Sequence, residues 1–172
     1  MATDGNTMTA TWTGGRRFVH TSASGHGLVT DTATEHGGTD TAASPMELII
    51  LGLIGCTGID VVTILERMRE PLQGLVVTAT HERSANHPRV FTRIHLNYRL
   101  RGDLDEKKVQ RAIDLSESKY CSVSAMLRET VDITHEYVIS EEERQARFKA
   151  LLEALLYTLV EPAGAMRGTQ AP

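Results

Sequence analysis

Cys56 and Cys121 are the only cysteines in a chain of 172 residues, and the thiol is the side chain here best suited to covalent chemistry. Cys56 lies in the run Leu51-Gly52-Leu53-Ile54-Gly55-Cys56-Thr57-Gly58. Cys121 follows Lys119-Tyr120 and precedes Ser122-Val123-Ser124. The two are too far apart in sequence to form a local redox clip. A fold that joins them makes a reversible dithiol/disulfide pair. Each also has a packing reading, as a small buried hydrophobe. Gly52, Gly55 and Gly58 surround Cys56 at helical spacing. Each weakens a helix by roughly 1 kcal/mol relative to Ala, a cost tolerated where another helix or a substrate must approach the backbone.

The nucleophile is the thiolate, so a reactive cysteine needs its pKa lowered. Cys56 falls about three helical turns beyond Ser44, outside the first turn where the helix dipole acts. Asp60, one turn further on, disfavours the anion. Activation therefore requires a cation from elsewhere in the chain or from a partner subunit. Arg16 and Arg17 are the candidates, set against their alternative as solvated strand arginines. Cys121 has Lys119 nearby and a helix N-terminus, both of which favour a thiolate.

Other chemistries find little support. None of the seven histidines forms His-x-x-x-His and no Cys-x-x-Cys occurs, so neither a metal site nor a bound cofactor is expected. Gly-x-Gly-x-x-Gly, P-loop and Gly-x-Ser-x-Gly motifs are missing. A net charge of -4 gives no reason to expect nucleic acid as a partner. Hydrophobic and charged contents of 41% and 23% are those of an ordinary globular chain. No signal peptide is read at the N-terminus, and the apolar run Leu48 to Ile54 is too short to span a bilayer. A cytoplasmic location, without membrane contact and with reduced thiols, is expected.

The elements that must position the thiols follow from local signals. Residues 1–10 are expected to be a disordered N-terminus. Met8 to Thr13 and Arg16 to Thr21 alternate as strands around a Gly14-Gly15 hairpin turn, and a turn at Ser24 to Gly27 leads to a third strand. Ser44, Pro45 and Glu47 signal a helix start with a capping box. Its body, Met46 to about Arg69, is apolar on nearly every side, which predicts a centrally buried helix. Leu75 to Thr80 and Val90 to Arg101 form a half-buried sheet, with Ile94, Leu96 and Tyr98 on one side and Arg93, His95, Asn97 and Arg99 on the other. A second helix is predicted over roughly Glu106 to Lys119, and Cys121 to Thr130 continues it after a break. Val131 to Val138 closes the sheet. Residues 11–139 thus form one α+β domain. Ser140 and Glu143 start an appended amphipathic helix over 140–162, with an apolar stripe from Phe148 to Leu159, and 163–172 form a flexible tail.

Ser44-Pro45-Met46-Glu47-Leu48, Gly55-Cys56, Ile59-Asp60-Val61-Val62, Arg89-Val90-Phe91-Thr92 and the block Ala112 to Val123 together resemble the OsmC/Ohr family, and within it a YhfA-like branch. The resemblance runs from about Thr11 to Val138, and Leu115 to Val123 is its most specific part. It implies an OsmC-like fold, with antiparallel sheets wrapped around long central helices in an intertwined homodimer. It also implies reduction of organic hydroperoxides: Cys56 is the peroxidatic thiol, Cys121 the resolving thiol, and a lipoyl-type dithiol the reductant. Peroxidase members carry a glutamate ten positions before the first cysteine, holding an arginine against the thiolate. Here Met46 stands there and the carboxylate is Glu47, ~180° around an ideal helix from Cys56. Glu47 is therefore weighed both as the arginine holder and as the partner of Ser44 in the cap. Cys56, Cys121, Arg16, Arg17 and Glu47 form the candidate site. The alternative function is a non-catalytic OsmC-fold protein binding a small hydrophobic ligand or partner at the dimer interface.

Overall fold

The computed structural model describes residues 6–140, which form two three-stranded sheets and three α-helices. The first sheet is an antiparallel meander of β1 (Thr9–Trp12), β2 (Phe18–Thr21) and β3 (Gly27–Thr30). Its first turn uses Gly14 and Gly15 at φ 109° and 57°, which a side chain rarely adopts. Asp31 then anchors the loop that follows. One of its carboxylate oxygens accepts from the backbone N–H and hydroxyl of both Thr39 and Thr41.

The capping box predicted at Ser44 is present, and α1 runs over Pro45–Arg67. β4 (Gly74–Arg83) and β5 (Phe91–Arg101) pair antiparallel. Gly102 follows at φ 140°, where a Cβ would sit 2.4 Å from the Pro71 carbonyl oxygen, so the end of β5 closes onto the loop after α1. Asp105 caps α2 (Glu106–Leu115) by accepting the Lys108 N–H. The chain continues through a single π-helical turn, Ser116–Tyr120, into the short α3 (Ser122–Leu127). β6 (Asp132–Ser140) then adds to β5 in parallel, from Arg93 opposite Asp132 to Arg101 opposite Ser140. The second sheet is therefore mixed rather than wholly antiparallel, because the helical crossover between β5 and β6 brings the chain back in the same direction. Ser140 ends this strand, its hydroxyl donating to the Leu100 carbonyl. The remainder of the predicted appended helix, the tail and residues 1–5 lie outside the described residues.

The core lies between the second sheet and the helices. β5 contributes Ile94, Leu96, Tyr98 and Leu100, as its alternation predicts; α1 contributes Leu53, Val61 and Leu65, and α2 Val109, Ala112 and Ile113. α1 departs from the expectation of burial on every side. Its buried residues, Ile50, Leu53, Thr57, Val61, Ile64 and Leu65, fall on one stripe, while Leu51 and Ile59 are 50% and 70% exposed. One layer of sheet and helix covers only one face, and nothing among the described residues covers the other. The helix as a whole, unlike the run Leu48 to Ile54, has the length and hydropathy of a bilayer span; its buried stripe packs on α2, α3 and β4. The meander packs closely only on itself, leaving Trp12 63% exposed.

Replacing fully buried Leu53 by Ala should cost about 2–5 kcal/mol, the transfer term plus a cavity. Urea unfolding of Leu53→Ala measures it, and a loss below about 1 kcal/mol would contradict this core assignment.

Candidate functional site

Thr57 faces the interior one residue after Cys56 and is fully buried. An isolated hydroxyl there would be costly. Its Oγ1 instead lies 2.7 Å from the Tyr98 hydroxyl on β5 and 2.9 Å from Ser116 Oγ at the start of the π turn. Ser116 Oγ in turn donates to Asp60 Oδ2 at 3.0 Å. Four polar groups thus tie the middle of α1 to β5 and to the end of α2. Burial pushes the Tyr98 hydroxyl pKa upward, so the phenol keeps its proton.

The π turn, a feature frequent at functional sites, aims Cys121. Its backbone N–H reaches the Ser116 carbonyl at 2.8 Å, and the residue adopts an extended N-cap conformation before α3, with Sγ accepting the Ser124 N–H at 3.3 Å. The result is a three-membered cluster. Cys56 Sγ, Cys121 Sγ and a carboxylate oxygen of Asp60 all lie within 4.8 Å of one another. Both cysteines are reduced. A disulfide needs an S–S length of about 2.05 Å, so bonding requires a small closure. Cys121 is 2% exposed and Cys56 half-buried, so an outside reagent meets Cys56 first.

The helix N-terminus predicted for Cys121 is present, but its effect is outweighed. Burial pushes the Cys121 thiol up to about 11, the Ser124 N–H pulls it down, and the neighbouring Cys56 thiol raises it again. Lys119 is not its partner: the ammonium sits over the Tyr120 ring, 5.5 Å from the centroid.

The other predicted residues lie elsewhere. Arg16 and Arg17 are exposed on the β1–β2 turn, with Arg16 Nε 3.6 Å from the point a Cβ on Gly37 would occupy. Glu47 accepts the Ser44 N–H at 2.7 Å while its own N–H reaches Ser44 Oγ. The Ser44 hydrogen bonds hold its carboxyl below the usual range. It sits about 13 Å along the helix axis from Cys56, at 1.5 Å per residue. Met46, where the resemblance expects a carboxylate, packs against the core.

Sequence reasoning missed the polar chain and the use of Asp60. Asp60 one turn after Cys56 and Thr57 beside it were the available signals. It also missed Glu117 on the π turn, whose Oε2 lies 3.0 Å from His135 Nδ1 while its buried Oε1 has no hydrogen-bond partner among the described residues. Two thiols and a carboxylate this close are also a donor set able to ligate a soft cation, which local motif spacing does not reveal.

Residues 38–136 match the family described as OsmC-like protein. Protein YhfA of Escherichia coli is 43% identical over 129 residues, covering 74% of this chain and 93% of its own. Among solved structures, an OsmC-like protein from Mycoplasma pneumoniae superposes with a TM-score of 0.69 at 16% identity, covering 82% of this chain and 100% of its own. An organic hydroperoxide resistance protein from Legionella pneumophila superposes at 0.60 with 20% identity, covering 76% and 96%. At these identities the two structures speak for the fold alone.

A thiol at about 11 rather than its ordinary 9.0 has roughly a hundredth of the thiolate at pH 8. Iodoacetamide should therefore label Cys56 first, and Cys121 at least about 100-fold more slowly than in the urea-unfolded chain. The unfolded thiol ionises near 9 and the folded one near 11, so this group's contribution to stability is intact below pH 9 and is lost as pH rises through 11. Equal labelling of the two thiols, measured by peptide mass spectrometry, would contradict the burial of Cys121.

Proposed function

This chain belongs to the OsmC-like protein family, and from that premise we propose that Cys56 and Cys121 together reduce organic hydroperoxides in defence against peroxide stress. The observation that carries the proposal is the approach of two reduced thiols, distant in sequence, to within 4.8 Å. The more accessible Cys56 attacks the peroxide. The O–O bond breaks, an alcohol leaves, and a sulfenic acid remains. Cys121 attacks that sulfur and expels water, and an external dithiol of lipoyl type regenerates both thiols by exchange. Such cycling suits a reducing compartment, the cytoplasm.

Cys56 still requires a cation. Arg16 and Arg17 sit on a meander that packs closely only on itself, and the open face of α1 carries Leu51, Gly55 and Ile59. A homodimer in which each chain covers the other's α1 face accounts for both surfaces and brings an arginine of one meander to a Cys56 thiolate. Glu47, engaged in the α1 cap, is poorly placed to orient that arginine.

Two observations favour a second reading, a non-catalytic protein holding a small hydrophobic ligand or partner. Met46 stands at the expected carboxylate position, and beside the exposed face of α1 lies a cavity of about 530 Å³ lined by Leu51, Ile54, Ile59, Val62, Leu75 and Val77.

Cumene hydroperoxide consumption with a dithiol reductant separates the two. Wild type is expected to turn over and Cys56→Ser to lose all activity. Cys121→Ser should consume about one equivalent and then stall or overoxidise. Equal, negligible consumption by all three proteins would rule the peroxidase reading out.

A further inference from the structure

We propose that Asp60 is the proton acceptor that lets the Cys121 thiol attack oxidised Cys56, with its carboxylate aimed by the hydroxyl chain Ser116–Thr57–Tyr98; this rests on the peroxidase reading above.

The resolving step has a physical difficulty. Cys121 is buried, and a buried thiol holds its proton, yet only a thiolate attacks a sulfenic sulfur well. The basic groups nearby in sequence are engaged: Lys119 stacks on Tyr120, and His135 pairs with Glu117. The carboxylate within 4.8 Å of both sulfurs is Asp60. Distances of this order in a resting site are compatible with proton transfer once the reacting groups close.

The orientation of the chain follows from counting protons. Ser116 has one hydroxyl proton and gives it to Asp60 Oδ2, so Ser116 must accept from Thr57. Thr57 has then spent its own proton and must accept from Tyr98, the remaining donor. Tyr98, Thr57, Ser116 and Asp60 therefore form one directed run of donors that ends on a carboxylate. It engages Oδ2, and no hydrogen bond among the described residues engages Oδ1. An all-apolar core would avoid the cost of burying three hydroxyls. A chain that terminates beside two thiols has a use for them, because it fixes the carboxylate's rotamer and polarises it along its length.

The step balances. Asp60 takes the Cys121 thiol proton. The Cys121 sulfur forms a bond to the Cys56 sulfur with its electron pair as the S–O bond breaks. The departing hydroxide takes the proton back from Asp60 and leaves as water. Cys56 sulfenic acid is reduced, Cys121 is oxidised, and Asp60 ends as it began. Among the described residues, the titratable groups facing Asp60 are Cys56 on its own helix, Cys121 before α3 and Tyr98 on β5, with the Glu117–His135 pair on the π turn and β6 beyond them.

Single-turnover oxidation of the full chain by cumene hydroperoxide tests this, following sulfenic acid by dimedone trapping and disulfide by peptide mapping. In Asp60→Asn, Cys56 oxidation should be as fast as in wild type or faster, since a negative neighbour is gone. Disulfide formation should fall about 100-fold or more at pH 7. It should then climb about tenfold per pH unit toward the thiol's ionisation, where wild type is flatter. Asp60→Glu should recover part of the rate, and Ser116→Ala should slow resolution about tenfold while keeping the wild-type pH profile. Wild-type rate and pH profile in Asp60→Asn, or equal slowing of both steps, would overturn the assignment.

Wild-type Cys56 inert to the hydroperoxide would instead sink the peroxidase reading. The Asp60 step then remains measurable with 4,4′-dithiodipyridine. Cys121 must attack the Cys56 mixed disulfide and release a second thiopyridone, and an unchanged release rate in Asp60→Asn would overturn the inference.

Discussion

A single buried hydroxyl, that of Thr57, constrains everything around the two cysteines. It can only be buried if it finds partners, and it finds them on β5 and on the π turn. Satisfying it sets the rotation of α1 about its axis, and that rotation decides where Cys56 and Asp60 point. The same bond pulls Ser116 inward, and the Ser116 carbonyl then takes the Cys121 N–H. A valine at position 57 would fill the space but would leave Tyr98 and Ser116 without a common partner. The approach of the thiols is thus a consequence of how the core resolves one polar group.

α1 serves two purposes that a single amphipathic helix does not. One stripe belongs to the core and carries Thr57 to the polar chain. The opposite face is equally apolar and holds the glycines; a Cβ at Gly52 or Gly55 would meet nothing within 4 Å among the described residues. Cys56 and Asp60 fall along the border between the two faces, half-buried. A thiol at such a border has solid packing on one side and is reachable from the other. That is the environment a first-reacting thiol needs, while Cys121 sits wholly inside. On the proposed peroxidase reading, the difference in burial sets the order in which the two react.

Much of this was legible from local sequence, and the failures have definite causes. Ser44, Pro45 and Glu47 announce α1 because capping is a contact among neighbours in sequence. The alternation of β5 announces its inner face for the same reason. The Gly14-Gly15 turn declares itself through backbone conformation. The π turn does not, because the extra residue in its loop is stabilised by Ser116 contacts made across the fold. An apolar helix without a polar side cannot reveal which face the rest of the chain covers, so its sequence predicts burial all round. In local sequence Asp60 is only an unfavourable neighbour of Cys56; its ties to Ser116 and Cys121 are long-range. The sequence around Cys121 shows only its helix terminus, whereas desolvation, a tertiary property, prevails. Arg16 and Arg17 follow only from the need for a cation and Glu47 from resemblance; the arginines lie at a turn of a separate sheet and the carboxylate in a helix cap.

In the proposed function, the fold pairs Cys56 with Cys121 for reversible two-electron chemistry. Peptide mapping by mass spectrometry, after one equivalent of organic hydroperoxide is added to the reduced protein, addresses it directly. One Cys56–Cys121 disulfide within a single chain is expected, with the mass about 2 Da lower and fully restored by a dithiol. Sulfinic acid on Cys56 beside an untouched Cys121, or a disulfide between two copies of Cys56, would contradict it.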